Sequence, residues 1–193
     1  MNKSIAWVAS GLLAFCAAMP AAALTTLYSA SLDGPSENPS NGSTATGTAL
    51  VTVDDVADTI RVQTSFAGLI GGPATAAHIH CCVAAPGNVG VAIGFPGFPA
   101  ATGGAYDHLF DATDSSTYGA TFVATFGAGT AAGAFAALVA GFDSGTSYVN
   151  IHNAQFPGGE IRGFLHAVPE PETYALMLAG LGVLGWAARR KAA

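Results

Sequence analysis

The sequence predicts an all-β protein: one antiparallel, β-sandwich-like domain with one short helix, flanked by an N-terminal signal peptide and a C-terminal transmembrane helix. Gly, Ala, Ser and Thr are frequent, and only 9% of the 193 residues are charged. Short segments rich in β-branched and aromatic residues recur between Gly-, Pro-, Asn- and Asp-rich turn signals. Many short strands at such spacing are typical of antiparallel sandwiches and barrels.

Residues 1–23 have the pattern of a secretion signal. Lys3 is the only charge before Asp33, residues 5–19 are apolar or small, and Pro20 is followed by three alanines. This order predicts cleavage by signal peptidase after Ala23. An N-terminal membrane anchor is the alternative, but the apolar run is shorter than the roughly 20 residues that a spanning helix needs.

The β domain is predicted over residues 24–166, a length that suits a single domain. Alternation and turn signals predict eight strands, at residues 24–31, 46–53, 59–66, 74–81, 89–93, 120–126, 147–152 and 160–166. Hairpin turns are expected at 54–58 and 153–159. Thr130 is a suitable cap for a helix over 131–140, with Gly141 at the left-handed stop position. Residues 96–114 have no clean period and are expected to form a long surface loop.

The charge balance excludes one class of partner. Between the two terminal segments, ten carboxylates from Asp33 to Glu160 face only Arg61 and Arg162, which gives a net charge of −8. Binding to nucleic acid needs Lys and Arg to displace counterions from phosphates, so nucleic acid is excluded as a partner. The near absence of Lys suits an extracellular protein that handles cations or neutral ligands.

Three histidines form the strongest candidate site. Side chains in a strand alternate, so His78 and His80 project from one face, and His152 projects from one face of its strand with Tyr148 and Asn150. A pair of imidazoles two residues apart, completed by a third from a neighbouring strand, could bind copper or zinc. Further ligands could be supplied by Cys81, Cys82, His108 or Glu160. The alternative is a structural role, in which these histidines form hydrogen bonds with neighbouring strands and so order the sheet.

Two cysteines remain once Cys16 leaves with the signal peptide. Cys81 and Cys82 are adjacent, and in oxidising surroundings thiols tend to pair. Three alternatives stay open: a vicinal disulfide, thiolate ligation of a soft metal, or pairing between chains.

The last predicted strand alternates in the same way. Its expected inward residues are Ile161 and Leu165, and its expected outward residues are Glu160, Arg162, Phe164 and His166. A structural ion pair between Glu160 and Arg162 is the simplest interpretation of this segment. The chain has no Gly-x-Ser-x-Gly nucleophile elbow, which argues against a hydrolase.

Three motifs in order resemble the CHRD domain, named for its repeats in chordin: His78-Ile79-His80, Tyr148-Val149-Asn150-Ile151-His152, and Phe156-Pro157-Gly158-Gly159-Glu160-Ile161-Arg162-Gly163. The resemblance covers about residues 24–166. It implies a sandwich-like module of secreted proteins; chordin is an extracellular growth-factor antagonist, and bacterial members have no agreed activity. Cys81-Cys82 departs from the family, which more often has a Gly-containing turn after the second histidine.

The C-terminal segment, residues 167–193, resembles the PEP-CTERM sorting signal of Gram-negative bacteria. Pro169-Glu170-Pro171 precedes an apolar stretch over 173–188, which ends in Arg189-Arg190-Lys191. The resemblance implies recognition by an exosortase-type membrane protease and release at the cell surface or outside the cell. The terminal cations would stay cytoplasmic, which leaves the domain outside the membrane before processing. The alternative is an ordinary tail anchor.

These observations predict a non-catalytic surface or matrix module that binds an unknown extracellular ligand. The alternative is a copper- or zinc-binding extracytoplasmic protein. A redox function of the bound metal is an additional hypothesis. His-x-His followed by a distant His is similar to the copper ligands of copper/zinc superoxide dismutase, but no His-rich zinc loop follows His80. No catalytic residue is predicted.

Overall fold

The computed structural model describes residues 25–169, 177–184 and 189–190. Within 25–169 the chain forms nine strands, two α-helices and one 3₁₀ turn. The elements are β1 Thr25–Asp33, β2 Thr46–Asp54, β3 Thr59–Ala67, β4 Ala74–Cys81, β5 Val91–Gly94, β6 Gly104–Asp111, the 3₁₀ turn Ser115–Thr117, α1 Ala120–Phe126, α2 Ala131–Asp143, β7 Ser147–Asn153, β8 Ile161–Phe164 and β9 His166–Ala167. The predicted signal peptide lies outside the described residues. Of the predicted C-terminal helix over 173–188, residues 177–184 are described and are helical, and the remainder lies outside the described residues.

All nine strands between residues 25 and 169 belong to one antiparallel sheet. Its order is β5-β4-β7-β8-β1-β2-β3-β6, and β9 pairs with β1 beyond the end of β8. The sheet curls into a half-barrel, with β5 and β6 as its two ends. The prediction of an antiparallel β fold is confirmed, whereas the two packed sheets of a sandwich are replaced by one curled sheet, because hydrogen-bonded pairing is continuous from β5 to β6.

The central hairpins follow directly from residue alternation. β2 pairs with β1 on one side and with β3 on the other, in each case over nine residues without a register shift. Buried residues alternate with more exposed ones along β2. The predicted turn between β2 and β3 forms, and Asp54 Oδ1 accepts hydrogen bonds from the backbone N–H groups of Val56 and Ala57. Asp58 completes the turn with a left-handed backbone, φ 51°.

The segment 120–126 was expected to be a strand and is instead α1. Its β-branched and aromatic composition suggested a strand, but Phe122 and Phe126 are four residues apart and pack against each other on one helix face, with ring centroids 5.4 Å apart. Gly127 ends the helix by donating its backbone N–H to the carbonyls of Phe122 and Val123. Phe122 is also buried in the core, where α1 packs against α2 and β5, so tertiary packing overrides the strand propensity here.

The expected surface loop at 96–114 contains a strand. β6 pairs with β3 over eight residues, from Gly104 opposite Phe66 to Asp111 opposite Thr59. Within β6, Tyr106 and Phe110 are buried while Asp107 and Leu109 are exposed. This alternation was the missed signal, hidden by the glycines and prolines that precede it.

The predicted helix is present as α2, but its end was placed too early. Thr130 caps it as expected, accepting a hydrogen bond from the backbone N–H of Gly133. The helix continues through Gly141 to Asp143, and the left-handed residue is Gly145, φ 65°. Gly141 is needed for a different reason: a Cβ there would collide with Cys81 Sγ, on which the helix packs.

Among the described residues, no single helix combines the length and apolar composition needed to cross a membrane. α1 and α2 reach that length and composition only when taken together, and they are bent by 81° at their junction.

We expect Gly163→Ala to destabilise the protein. A Cβ on this β8 residue would collide with the carbonyl oxygen of Ser31 on β1 and press on the side chain of Ala30. Overpacking of this kind costs about 1–3 kcal/mol, measurable as a lower urea midpoint. Gly158→Ala is the matched control, because its added carbon meets nothing within 4 Å. Equal stability of the two variants would contradict the close approach of β8 to β1.

Candidate metal centre

Two neighbouring strands place three histidines on one face of the sheet. The pairing of β4 with β7 gives three cross-strand pairs on this face: His78 with Asn150, His80 with Tyr148, and Ala76 with His152. The other face of the same strands carries Ile79, Val149 and Ile151, all fully buried in the core. Alternation therefore keeps the apolar core on one side and the imidazoles on the other.

The three imidazoles lie close enough together to bind one ion. One candidate ligand nitrogen from each ring lies within 4.8 Å of the other two. Nδ1 of His78 is 3.1 Å from Nε2 of His152. Nitrogens around a tetrahedral zinc ion are about 3.3 Å apart, given a Zn–N bond of about 2.0 Å, so small side-chain movements would complete a three-nitrogen set.

Backbone carbonyls determine which ring nitrogens carry protons. Nδ1 of His80 is 2.8 Å from the carbonyl oxygen of Val89, and Nδ1 of His152 is 3.0 Å from that of Pro157. A carbonyl only accepts hydrogen bonds, so in both rings Nδ1 donates and Nε2 keeps its lone pair. His80 is only 8% exposed, and its buried Nε2 has no hydrogen-bond partner in the described chain. Metal-binding histidines are held in this way.

Aromatic and cationic side chains fix the His80 ring further. The ring of Tyr148 stacks on it, with centroids 4.7 Å apart and planes within 6°. The guanidinium carbon of Arg162 lies 4.9 Å from the centroid of Tyr148. The result is a layered stack of cation, phenol and imidazole that leaves His80 little rotational freedom.

Burial keeps the imidazoles neutral. It lowers the pKa of His78 to about 4, with smaller contributions from His152 and His80. Burial also lowers the pKa of His80 and of His152, and it outweighs the hydrogen bonds to Val89 and Pro157, which act in the opposite direction. Neutral imidazole is the form that binds a metal, so the site is in its binding form at neutral pH.

The structure does not bring the two cysteines to the histidines. Cys81 and Cys82 form a disulfide with each other. Cys81 is fully buried, and its sulfur lies against α2, where a Cβ on Gly141 would collide with it. Because Cys81 and His80 are consecutive in a strand, their side chains point to opposite faces. Of the three alternatives for these cysteines, the structure contains the vicinal disulfide.

Glu160 lies outside the histidine cluster as well. Its fully buried carboxylate accepts hydrogen bonds from Ser43, Asn153 and the backbone N–H groups of Ile70 and Gly71. Burial alone would raise the pKa of Glu160, but these hydrogen bonds outweigh it and hold the pKa below its usual value. The carboxylate therefore anchors the loop before β4, and its two oxygens are already engaged in hydrogen bonds and are not available to a metal.

His108 lies on β6, at the other end of the sheet from β5. Its ring packs against Phe110, with centroids 4.4 Å apart, and against Tyr106. His108 and His78 both line one cleft, on different strands. His108 therefore borders the same cleft as His78 and is not part of the cluster.

Arg162 was expected to be an outward residue paired with Glu160; it lies on the expected face, but it is not exposed and Glu160 is not its partner. The side chain is fully buried, and its ion-pair partner is Glu37, with Nε and Oε2 3.7 Å apart. Two loops cover this face, and the guanidinium donates to four acceptors on them: the carbonyls of Ser36, Pro86 and Gly87, and Oδ1 of Asn88. Strand alternation identified the face correctly but could not show that loops bury it.

Sequence reasoning also missed the groups that orient the histidines. Val89 and Pro157 act through their carbonyl oxygens, which carry no side-chain signal. Glu37 lies in a turn-rich segment, where its carboxylate gave no sign of burial; it accepts a hydrogen bond from Asn150, 2.8 Å away. A lone glutamate in a segment otherwise without charge between Asp33 and Asp54 was the available hint.

The donor set indicates which ions the site could bind. Three neutral imidazoles without a carboxylate suit borderline ions such as Cu²⁺ and Zn²⁺, whereas Ca²⁺ and Mg²⁺ prefer oxygen ligands.

Comparison with known families adds two findings. A family model described as the CHRD domain matches residues 28–165. A second, described as the PEP-CTERM protein-sorting motif, matches residues 167–191. No curated protein and no solved structure is matched.

We expect the wild-type protein to lose more stability between pH 7 and pH 5 than a His78→Gln variant. The pKa of His78 is about 4 in the folded protein and about 6.5 in an unfolded chain. As pH falls through 6.5, only the unfolded chain gains this proton, so stability present above pH 6.5 is lost towards pH 4. The difference should be about 1–2 kcal/mol, measured by urea unfolding with a chelator present. Titrating groups that do not interact with His78 cancel in the comparison, and parallel pH profiles would contradict a neutral, buried His78.

Proposed function

The chain belongs to the CHRD domain family, and from this premise we propose that it is an exported, non-catalytic binding module of the cell surface or extracellular matrix. PEP-CTERM motifs are recognised by exosortase, and this motif implies an exported, membrane-processed protein of a Gram-negative bacterium. CHRD domains are not known as enzymes. The proposed partners are signal peptidase, an exosortase-type protease and an extracellular ligand.

One observation carries this proposal: the folded domain ends where the sorting motif begins. β9 ends at Ala167, and the backbone N–H of Val168 still donates to the carbonyl of Leu27, 2.7 Å away. The motif match starts at residue 167. A cut near Pro169-Glu170-Pro171 would therefore release the whole sheet and nothing beyond it.

The charges support a neutral or cationic ligand. Arg61 pairs with Asp107 on the sheet surface, and Arg162 pairs with Glu37 inside. Both arginines of residues 25–169 are thus engaged, and the excess of carboxylates makes an anionic ligand unfavourable.

We expect the mature protein, isolated from its native host, to begin at Leu24 and to end near Pro169. Both terminal segments have the residue order that their proteases need. Intact-mass measurement checks both ends at once. A mass that retains Trp186 and the basic terminus would rule out the sorting claim, and a mass that retains Lys3 would rule out cleavage of the signal.

A second candidate function is the binding of copper or zinc by His78, His80 and His152. The observation that favours it is the buried Nε2 of His80, which has no partner in the described residues although its ring is held on both sides. A buried polar atom without a hydrogen bond costs about 1–3 kcal/mol, and a metal ion would remove that cost.

We expect copper or zinc to bind the mature protein at pH 7 with a stoichiometry near one, and His152→Ala to weaken binding at least tenfold. Ordinary histidines would lose a metal as pH falls through about 6.5. Because burial lowers the pKa of all three, loss of binding should occur at lower pH. Calorimetric titration at several pH values measures both effects. His166→Ala, an exposed histidine outside the cluster, is the control; unchanged binding in His152→Ala would leave these side chains with only a sheet-ordering role.

A further inference from the structure

The two ends of the curled sheet differ in how their outer edges are covered. β5, at one end, has only four residues. The backbone N–H of Gly119, in the segment before α1, donates to the carbonyl of Ala92 in β5, 2.9 Å away. β6, at the other end, has eight residues and pairs only with β3 within the described chain. The far side of β6 is therefore the open edge of the sheet.

The register of β6 shows which of its backbone groups are unpaired. The N–H of Ala112 donates to the carbonyl of Asp58, in continuation of the β3–β6 register. Hydrogen-bonded pairs recur at every second residue of an antiparallel ladder, so the even-numbered residues of β6 bond to β3. The N–H and C=O groups of Ala105, Asp107 and Leu109 point away from β3, and no backbone group of the described residues bonds to them.

This edge has little of the protection that edge strands usually carry. Natural proteins shorten such strands, bend them with a bulge, or place charges and proline on them. The pairing of β6 with β3 has no register shift, and its sequence contains neither Lys nor Pro. Its charges are Asp111 at the end and Asp107, which is held by Arg61 of β3. Leu109 is 60% exposed. A long, regular edge of this kind is a template for one more strand.

A cleft of about 880 Å³ lies along the open edge. Four consecutive residues of β6, 108–111, line it. Consecutive side chains of a strand point to opposite faces of the sheet. Such a run therefore shows that the edge of β6 borders the cleft, and not one face alone. Residues 75–78 of β4 form a second consecutive run in the cleft wall.

The lining of the cleft restricts the side chains of an added strand. Its charged residues are Asp111 and Asp114, and among the described residues neither Lys nor Arg lines it. Hydrogen bonds from Thr113 and Ser116 hold the pKa of these two carboxyls below its usual value, so both are ionised at neutral pH. Basic side chains are therefore favoured and acidic ones disfavoured. The aromatic part of the wall consists of Phe95, Phe98, Phe110 and Tyr118. Apolar side chains pack well against such rings.

We propose that the cleft binds an extended segment of another protein, basic and apolar in composition, which pairs with the open edge of β6 as an added strand. This inference rests on the proposed role as an extracellular binding module and names its ligand class. A row of unpaired N–H and C=O groups is matched by the backbone of a second strand. The side chains of that strand alternate, so one set packs on the side of Phe110 and the other brings a basic group to the side of Asp111. Main-chain hydrogen bonds give the affinity, and the side chains give the specificity.

Leu109→Pro blocks the open edge without breaking a bond to β3. Because the N–H of Leu109 points away from β3, proline at this position removes a donor from the edge and adds a ring there. Leu109→Thr is the matched control, since it removes the exposed leucine side chain but keeps the N–H. The urea midpoints of both variants check that the sheet is intact.

The experiment titrates the mature protein with capped peptides of about six residues, the usual length of a strand. The peptides alternate Val or Phe with Thr and Lys, and calorimetry at pH 7 with a chelator present measures binding. We expect affinity to fall at least tenfold in Leu109→Pro and less than threefold in Leu109→Thr. Replacement of Lys by Glu in the peptide should also cost at least tenfold.

N-methylated peptides test backbone pairing without changing the protein. The N–H groups of alternate residues in a strand point to opposite edges. N-methylation of one alternate set should therefore cost at least tenfold in affinity, and N-methylation of the other set much less.

Each outcome supports or overturns a distinct claim. If no peptide binds, or if Leu109→Pro binds as tightly as the wild type, strand addition at β6 is wrong, whereas export is judged by the intact mass alone. Equal losses from the two N-methylated sets would overturn backbone pairing. Unchanged affinity for the Glu peptides would overturn the preference for basic segments. If a neutral polysaccharide such as dextran binds and the peptides do not, the binding role stands and the ligand class is wrong.

Discussion

The buried guanidinium of Arg162 is the interaction on which the outer face of the sheet depends. A charge without solvent contact must be matched by a counter-charge and by hydrogen bonds, and here Glu37 and four acceptors on two loops supply them. The loops at Ser36 and at Pro86–Asn88 are thereby held against the strands. They form a layer of loops over this face of the sheet. Removing one partner of such a pair costs about 3–5 kcal/mol, so this layer and the arginine are retained together.

The same layer determines the chemistry of the histidines. The Pro86–Asn88 loop, fixed by Arg162, is followed directly by Val89, whose carbonyl orients His80. Arg162 also lies over Tyr148, which stacks on His80 from the other direction. The arginine thus acts on the candidate site through a loop and through a ring, and touches no ligand itself. Burial also lowers the pKa values of His78 and His80.

How much the sequence could predict depended on whether a feature is local. Alternation in β2, β3 and β4 located these strands and the face of His78 and His80, because a strand's period is a property of the strand itself. It failed at residues 120–126, where burial of Phe122 among core residues distant in sequence favours a helix, and at β6, whose pairing with β3 is distant in sequence. Burial of Arg162 could not be predicted either, since it arises from loops 75 and 126 residues away. Carbonyl partners such as Val89 leave no trace in the sequence at all.

The attachment of β9 to the start of β1 has a mechanical consequence. One row of cross-strand partners runs from His78 through Asn150 and Arg162 to Asp33, at the far end of β1. The tail leaves the sheet beside Leu27 and Tyr28, about 17 Å away at 3.4 Å per residue. A force on a tethered tail acts first on the two residue pairs between β9 and β1, which separate one after the other. Force on the tail is thus taken up where the tail leaves the sheet, and the histidines, which lie level with the opposite end of β1, are not the first to experience it.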